Sequence, residues 1–196
     1  MIHDATLDRV TNAAGRVDET SRDTLSTLDV EGSGEPVPTL SAVFDSAPAD
    51  VSLLLDLKER GLVDDILALR ASHDTEIAFV SDRRPIIEEL RAADTAAPVV
   101  RESPLSRPLR PVVPGLPSWL YPPQDVTGML EATLSLDCDA VSPRYELCLT
   151  TDIAARARDA GLRVFPWTVS SRRAYAALAD VGVDAVISDV CRGLRE

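Results

Sequence analysis

The 196-residue sequence predicts an α/β fold, a TIM (β/α)8-type barrel truncated at its N-terminal end, with about six of the eight strands present. Three observations predict it. Short apolar runs alternate with amphipathic ones at about 20–25 residues per unit, which implies parallel strands joined by right-handed helical crossovers. Polar residues stand at the C-terminal ends of the apolar runs: Lys58, Ser81, Arg101, Ser142, Thr168 and Asp189. That is the edge on which barrels build their active sites. No GxGxxG or GxxxxGK fingerprint follows any strand, which counts against an open nucleotide-binding sheet. A full barrel usually takes about 250 residues, so the single domain, residues 1–196, reads as incomplete at its start.

The elements follow in order. Ile2-His3-Asp4 reads as the end of a strand whose beginning is absent. Residues 5–37 are polar and hold Gly15, Gly32, Gly34 and Pro36; they read as an extended excursion. Within it, residues 21–28 suit a short helix capped by Thr20 or Ser21. Thr39 caps a helix over 40–46, packed by Leu40, Val43 and Phe44.

Residues 51–59 read as a buried strand that carries charge. Alternation puts Leu53, Leu55 and Leu57 on one face, and Ser52, Leu54, Asp56 and Lys58 on the other. A carboxylate and an ammonium therefore share a face near the strand's C-terminal end. Charges in that setting need a partner, a metal or a substrate. Lys58 is also the only lysine in the chain. A compact ammonium stands here where every other basic side chain is a guanidinium.

Downstream, helix is expected over 63–71, 82–93, 125–134, 151–160 and 172–180. Pro85 suits a first helical turn, and Gly161 and Gly182 suit helix ends. Ser81 or Asp82, Thr150 or Thr151, and Ser170 or Ser171 are the expected caps of three of these helices. Strands are expected over 76–81, 98–101, 139–142, 162–169 and 183–189. Residues 102–123 hold seven prolines and read as a long loop, since proline fits neither helix interior nor central strand.

Composition bounds the partners. With 45% apolar residues and only 4% aromatic ones, the core is aliphatic. Thirty-two acidic against 20 basic residues give a net charge of −12, which argues against a nucleic-acid partner. The acid-rich, lysine-poor surface resembles that of proteins from salt-loaded cytoplasms. No apolar run reaches the roughly 18–20 residues of a membrane span. Cys138, Cys148 and Cys191 lack CxxC spacing and number three, which predicts reduced thiols and a cytoplasmic setting.

Several segments together resemble the glycerophosphodiester phosphodiesterase family. They are His3-Asp4-Ala5-Thr6-Leu7-Asp8-Arg9 with Thr11-Asn12 and Gly15; Pro38-Thr39-Leu40; Leu55-Asp56-Leu57-Lys58; Trp167-Thr168-Val169; and residues 182–189, GVDAVISD. The resemblance implies a barrel that hydrolyses small glycerophosphodiesters to an alcohol and glycerol phosphate with a divalent cation, Mg²⁺ or Ca²⁺. It assigns His3 as the acid for the leaving group, Lys58 and Trp167 to the substrate, and Asp56 to the metal. Asp56 falls where the family usually has Glu. The family's preceding His-Arg-Gly and Glu-x-Asp segments have no counterpart here, so the cation is expected to bind weakly.

Each assignment has a plainer alternative. Asp56 and Lys58 could form a structural ion pair, His3 a frayed terminal residue, Trp167 core packing, and His73 a solvated residue after a helix. Arg101 and Glu102 are candidate pocket residues at a strand end. For the whole chain, the alternative to an enzyme is a non-catalytic remnant or interaction module of the same fold. A barrel short of strands exposes edges, which a homo-oligomer would cover.

Overall fold

The computed structural model describes residues 1–103, 124–190 and 194. The expected proline-rich loop lies, from residue 104 to 123, outside the described residues, as does Cys191. Two compact units are distinguished. The first comprises Met1–Leu53 and Asp65–Glu76; the second comprises Leu54–Asp64 and the described residues from Ile77 onward.

The first unit has little regular structure. Ile2, His3 and Asp4 form no strand. The chain instead folds back through isolated antiparallel bridges, Thr6 to Arg16, Thr11 to Val30 and Asp29 to Pro36. These close over a small apolar cluster of Leu7, Leu28 and Val37. Two short helices follow, α1 (Arg22–Leu25) and α2 (Leu40–Ser46). Both caps act as expected, because a Ser or Thr oxygen accepts an otherwise orphan N–H. Ser21 accepts from Thr24 N–H at 3.1 Å, and Thr39 from Ala42 N–H at 3.1 Å.

His73 is a correction. It is not a solvated end but a half-buried cross-link between α2 and the end of α3 (Val63–Arg70). Its Nε2 meets Asp45 Oδ1 at 3.1 Å, its Nδ1 meets the Leu69 carbonyl at 2.9 Å, and its ring lies 5.0 Å from that of Phe44.

The second unit carries the sheet, apart from Leu53 at the start of its first strand. Its strands are β1 (Leu53–Asp56), β2 (Ile77–Ser81), β3 (Val99–Glu102), β4 (Ala140–Ser142) and β5 (Arg163–Val164). They neighbour one another in sequence order, β1-β2-β3-β4-β5, which is the order of consecutive strands in a (β/α)8-type barrel. β2 through β5 pair parallel, with Ser81, Arg101, Val141 and Val164 in register.

Register and alternation sort the side chains onto two faces. One face carries Val141 and Val164 into a large cluster with α5 (Val126–Leu134), α6 (Tyr145–Thr150), α7 (Ile153–Asp159) and α8 (Arg172–Val181). Leu130, Leu147, Ile153, Ala157 and Leu178 are its centre, and Leu178 is fully buried. Truncating Leu178 to Ala there would cost about 2–5 kcal/mol. The other face gathers Val80, Val100 and Ala140 against Phe165.

The helices explain themselves locally. Asp125 accepts from Gly128 N–H at 2.8 Å and Ser171 from Ala174 N–H at 3.3 Å. Gly182 ends α8 at φ 75°, where a Cβ would also strike the Arg158 guanidinium. At α4 (Arg84–Ala92) the expected side-chain cap is not made. Ser81 Oγ instead donates to the Leu57 carbonyl at 2.8 Å and accepts from Arg83 N–H at 3.1 Å, which ties β2 to the residue after β1. Residues 183–189 are not a strand. They still run beside the β5 segment, since Ile187 N–H donates to Pro166 C=O and Val169 N–H to Ile187 C=O, each at 2.9 Å.

Candidate functional site

The burial of β1 follows the expected alternation. Leu55 and Leu57 are buried while Leu54 is 41% exposed. Asp56 and Lys58 accordingly project from the Leu54 face. Lys58 Nζ donates to Asp56 Oδ2 at 2.8 Å, and Glu102 Oε2 lies 3.6 Å from the same nitrogen. The second distance is an ion pair rather than a hydrogen bond. Glu102 is the last residue of β3, with its Cα in register with Ser142 of β4. It therefore reaches Lys58 across β2, two strand spacings or about 10 Å of backbone.

The charges at this edge perturb one another. Burial works against the Lys58 ammonium, but the Asp56 hydrogen bond and the charges of Asp56, Glu102 and Asp82 outweigh it. Lys58 is thus held above the ordinary lysine range and is fully protonated near neutral pH. Burial pushes the Glu102 carboxyl up, and Asp56 and Asp82 add to this while Lys58 opposes it.

Arg101 does not join them. It sits on the opposite face with Val99, and its guanidinium donates to Ser103 Oγ at 3.1 Å.

At the C-terminal ends of β4 and β5, Trp167 is half-buried and fixed in place. Its indole N–H donates to the Ser142 carbonyl at 3.0 Å, and the Arg144 guanidinium lies 5.6 Å from its ring. Arg144 is itself paired with Glu146 at 2.7 Å. The Arg144–Trp167–Glu146 group was not anticipated. Its one signal in the sequence is the position of Arg144 just beyond a strand end.

His3 belongs to the first unit, with its side chain 69% exposed. Its Nδ1 meets Asp4 Oδ1 at 2.7 Å, and Arg9 Nη2 donates to the same carboxylate at 3.1 Å. The Arg9 and His3 hydrogen bonds hold the Asp4 carboxyl far below the usual carboxylate range. With Nδ1 bonded to a carboxylate, Nε2 is the nitrogen that remains to exchange a proton.

The resemblance implies a divalent cation. Mg²⁺ and Ca²⁺ take about six or more oxygen ligands. Among the described residues no group of three or more His, Cys, Asp or Glu side chains is placed to hold a metal ion. Asp56 is already engaged by Lys58. The described donors do not fit such an ion by themselves, and no step below is routed through one.

A parallel α/β sheet with its strands in consecutive order and a protonated lysine at its C-terminal edge is the architecture of an α/β-barrel-type protein. The chain belongs to the glycerophosphoryl diester phosphodiesterase family, whose model matches residues 1–192. Members of this family are phosphoric diester hydrolases. The chain is 22% identical, over 96% of its length and 75% of the relative's, to a glycerophosphodiester phosphodiesterase of Caldanaerobacter subterraneus subsp. tengcongensis. Its fold is similar to that of an Oleispira antarctica phosphodiesterase solved with the product sn-glycerol-3-phosphate. There the TM-score is 0.75 and the identity 21%, over 96% of this chain and 74% of that one. A glycerophosphodiester phosphodiesterase from Agrobacterium tumefaciens gives a TM-score of 0.73 at 18% identity, over 96% and 76%. The barrel-type fold and the family expected from the sequence are thereby borne out.

Proposed function

We propose that this protein hydrolyses glycerophosphodiesters to an alcohol and glycerol phosphate. The observation that carries the proposal is the protonated Lys58 at the C-terminal sheet edge of a chain that matches the family along residues 1–192. The phosphodiester is an anion whose charge grows as the P–O bond to the alcohol breaks. Lys58 binds a non-bridging oxygen and stabilises that charge. The resemblance assigns the proton for the departing alkoxide to His3, whose imidazole Asp4 orients through Nδ1. Water supplies the new P–O bond and the proton that restores His3. Trp167, held by Ser142, lends a flat apolar wall to the glycerol or alcohol group. Asp56 anchors Lys58 and is the one carboxylate the resemblance offers a cation.

The substrate is a small molecule, and among the described residues no helix is long and apolar enough to cross a membrane. The free, buried thiols of Cys138 and Cys148 support a reducing, cytoplasmic setting for the reaction.

The test is turnover of glycerophosphocholine by the purified chain in high salt, with and without Mg²⁺ or Ca²⁺. Release of choline with glycerol phosphate is expected. A folded sample without turnover under any of these conditions overturns the proposal and favours a non-catalytic module.

A further inference from the structure

Glu102 has no part in the mechanism above, yet it faces the same ammonium. Asp56 approaches Lys58 Nζ at 2.8 Å from one side, and Glu102 stands 3.6 Å away, carried by a strand two places across the sheet. The Glu102 side chain is only 22% exposed. Its backbone is fixed by pairing with β4 at Ser142. Lysine, by contrast, carries its charge on a flexible four-carbon stem. An ammonium has three N–H donors. Asp56 takes one and the Glu102 carboxylate attracts a second, which leaves the third for an anion.

We propose that Glu102 is a positioning residue, which together with Asp56 fixes Lys58 Nζ from two sides so that its remaining donor addresses the substrate phosphate. The proposal rests on the reading of Lys58 as the phosphate-binding group. It has a cost and a return. A second carboxylate beside the site weakens attraction for an anionic substrate in the ground state. The return is an ammonium already in place when transition-state charge develops, so that no reorientation is needed at that moment. Burial raises the Glu102 carboxyl and the Lys58 charge opposes that rise.

The chain offers its own probe. Because Lys58 is the only lysine, protein grown on lysine labelled with ¹³C at Cε gives one lysine signal. Its relaxation, its shift on titration with inorganic phosphate, and kcat and KM for glycerophosphocholine are compared in wild type, Glu102→Gln and Glu102→Asp. In wild type the signal should relax as an ordered methylene and shift saturably with phosphate. Glu102→Gln should sharpen the signal, leave phosphate binding as tight or tighter, and lower kcat about tenfold. Glu102→Asp should recover part of the order and of kcat. A merely structural Glu102 would move binding and turnover together and leave the lysine signal as it was.

An unchanged Lys58 signal in Glu102→Gln overturns the positioning role, whatever the activity. A wild-type signal that ignores phosphate overturns the reading of Lys58 instead. If Glu102→Gln does not fold, Glu102→Asp decides alone. Its shorter carboxylate should loosen the Lys58 signal, and an unaltered signal refutes the proposal.

Discussion

At the N-terminal edge of the sheet Arg91 and Asp139 form an ion pair; at the C-terminal edge Lys58 and Asp56 form another. Both are 2.8 Å contacts. They differ in what else they hold. Asp139 Oδ2 also accepts the Val99 N–H at 2.8 Å, which ties the start of β3 to the residue before β4. Burial disfavours its charge, but the Val99 and Arg91 hydrogen bonds prevail and depress its pKa. The Lys58 ammonium, in contrast, meets only carboxylates among the described residues. One pair joins backbone to backbone, and the other keeps a cation poised at an edge. Equal distances thus conceal unequal roles, and the remaining partners of each group tell them apart.

The largest test of that contrast is Lys58→Ala. Under the proposed mechanism, loss of this ammonium should lower kcat/KM about 100-fold or more. An unchanged rate would make the two pairs alike and remove Lys58 from the mechanism.

The converse is Asp139→Ala, which should leave turnover intact and cost about 1.5 kcal/mol, a modest value because the group is 44% exposed. Thermal denaturation should register this as about 3–6 °C in Tm. The pH dependence follows from the depressed Asp139 pKa. Its stabilisation is present above the unfolded value of about 3.9 and is lost as pH falls through the lower folded value. The Tm difference between wild type and Asp139→Ala should therefore shrink only in strong acid. A loss of activity without a loss of stability would reverse the comparison.

Calorimetric titration of wild type with Mg²⁺ or Ca²⁺ sharpens it further. With Lys58 already seated on Asp56, binding weaker than about 1 mM is expected, and Asp56→Asn should abolish it. Tight binding in wild type would show donors beyond those the described residues provide.

The smallest effect is expected in the first unit, where His73 bridges Asp45 and the Leu69 carbonyl. Those bonds, the Leu69 one foremost, raise its pKa. Its stabilisation is therefore complete below the unfolded value of about 6.5 and is lost as pH rises through the folded value. His73→Gln should lower Tm by under about 2 °C at pH 5.5 and by less at pH 8. A larger deficit at pH 8 would refute the charged cross-link.

The sequence made some of this legible and hid the rest for identifiable reasons. Short apolar runs located β1 through β4, and alternation put Asp56 and Lys58 on one face, because a period of two is a property of the strand itself. The caps at Ser21, Thr39 and Ser171 were legible because they are local. The helix α6 was not expected, since it is six residues long and begins at Tyr145, shortly after β4 ends at Ser142. Residues 183–189 had the apolar pattern of a strand, but pattern does not supply a ladder partner.

Taken alone, the sequence determined which residues alternate, which cap, and which family motifs the chain carries. The tertiary structure alone decided that Glu102 meets Lys58 across an intervening strand, that Arg101 turns to the other face, and that His73 joins α2 to α3. Those contacts depend on register between segments far apart in the chain. The apolar pattern fixes which face of a strand is buried, but which residues of distant strands stand side by side is decided only when those faces pack together.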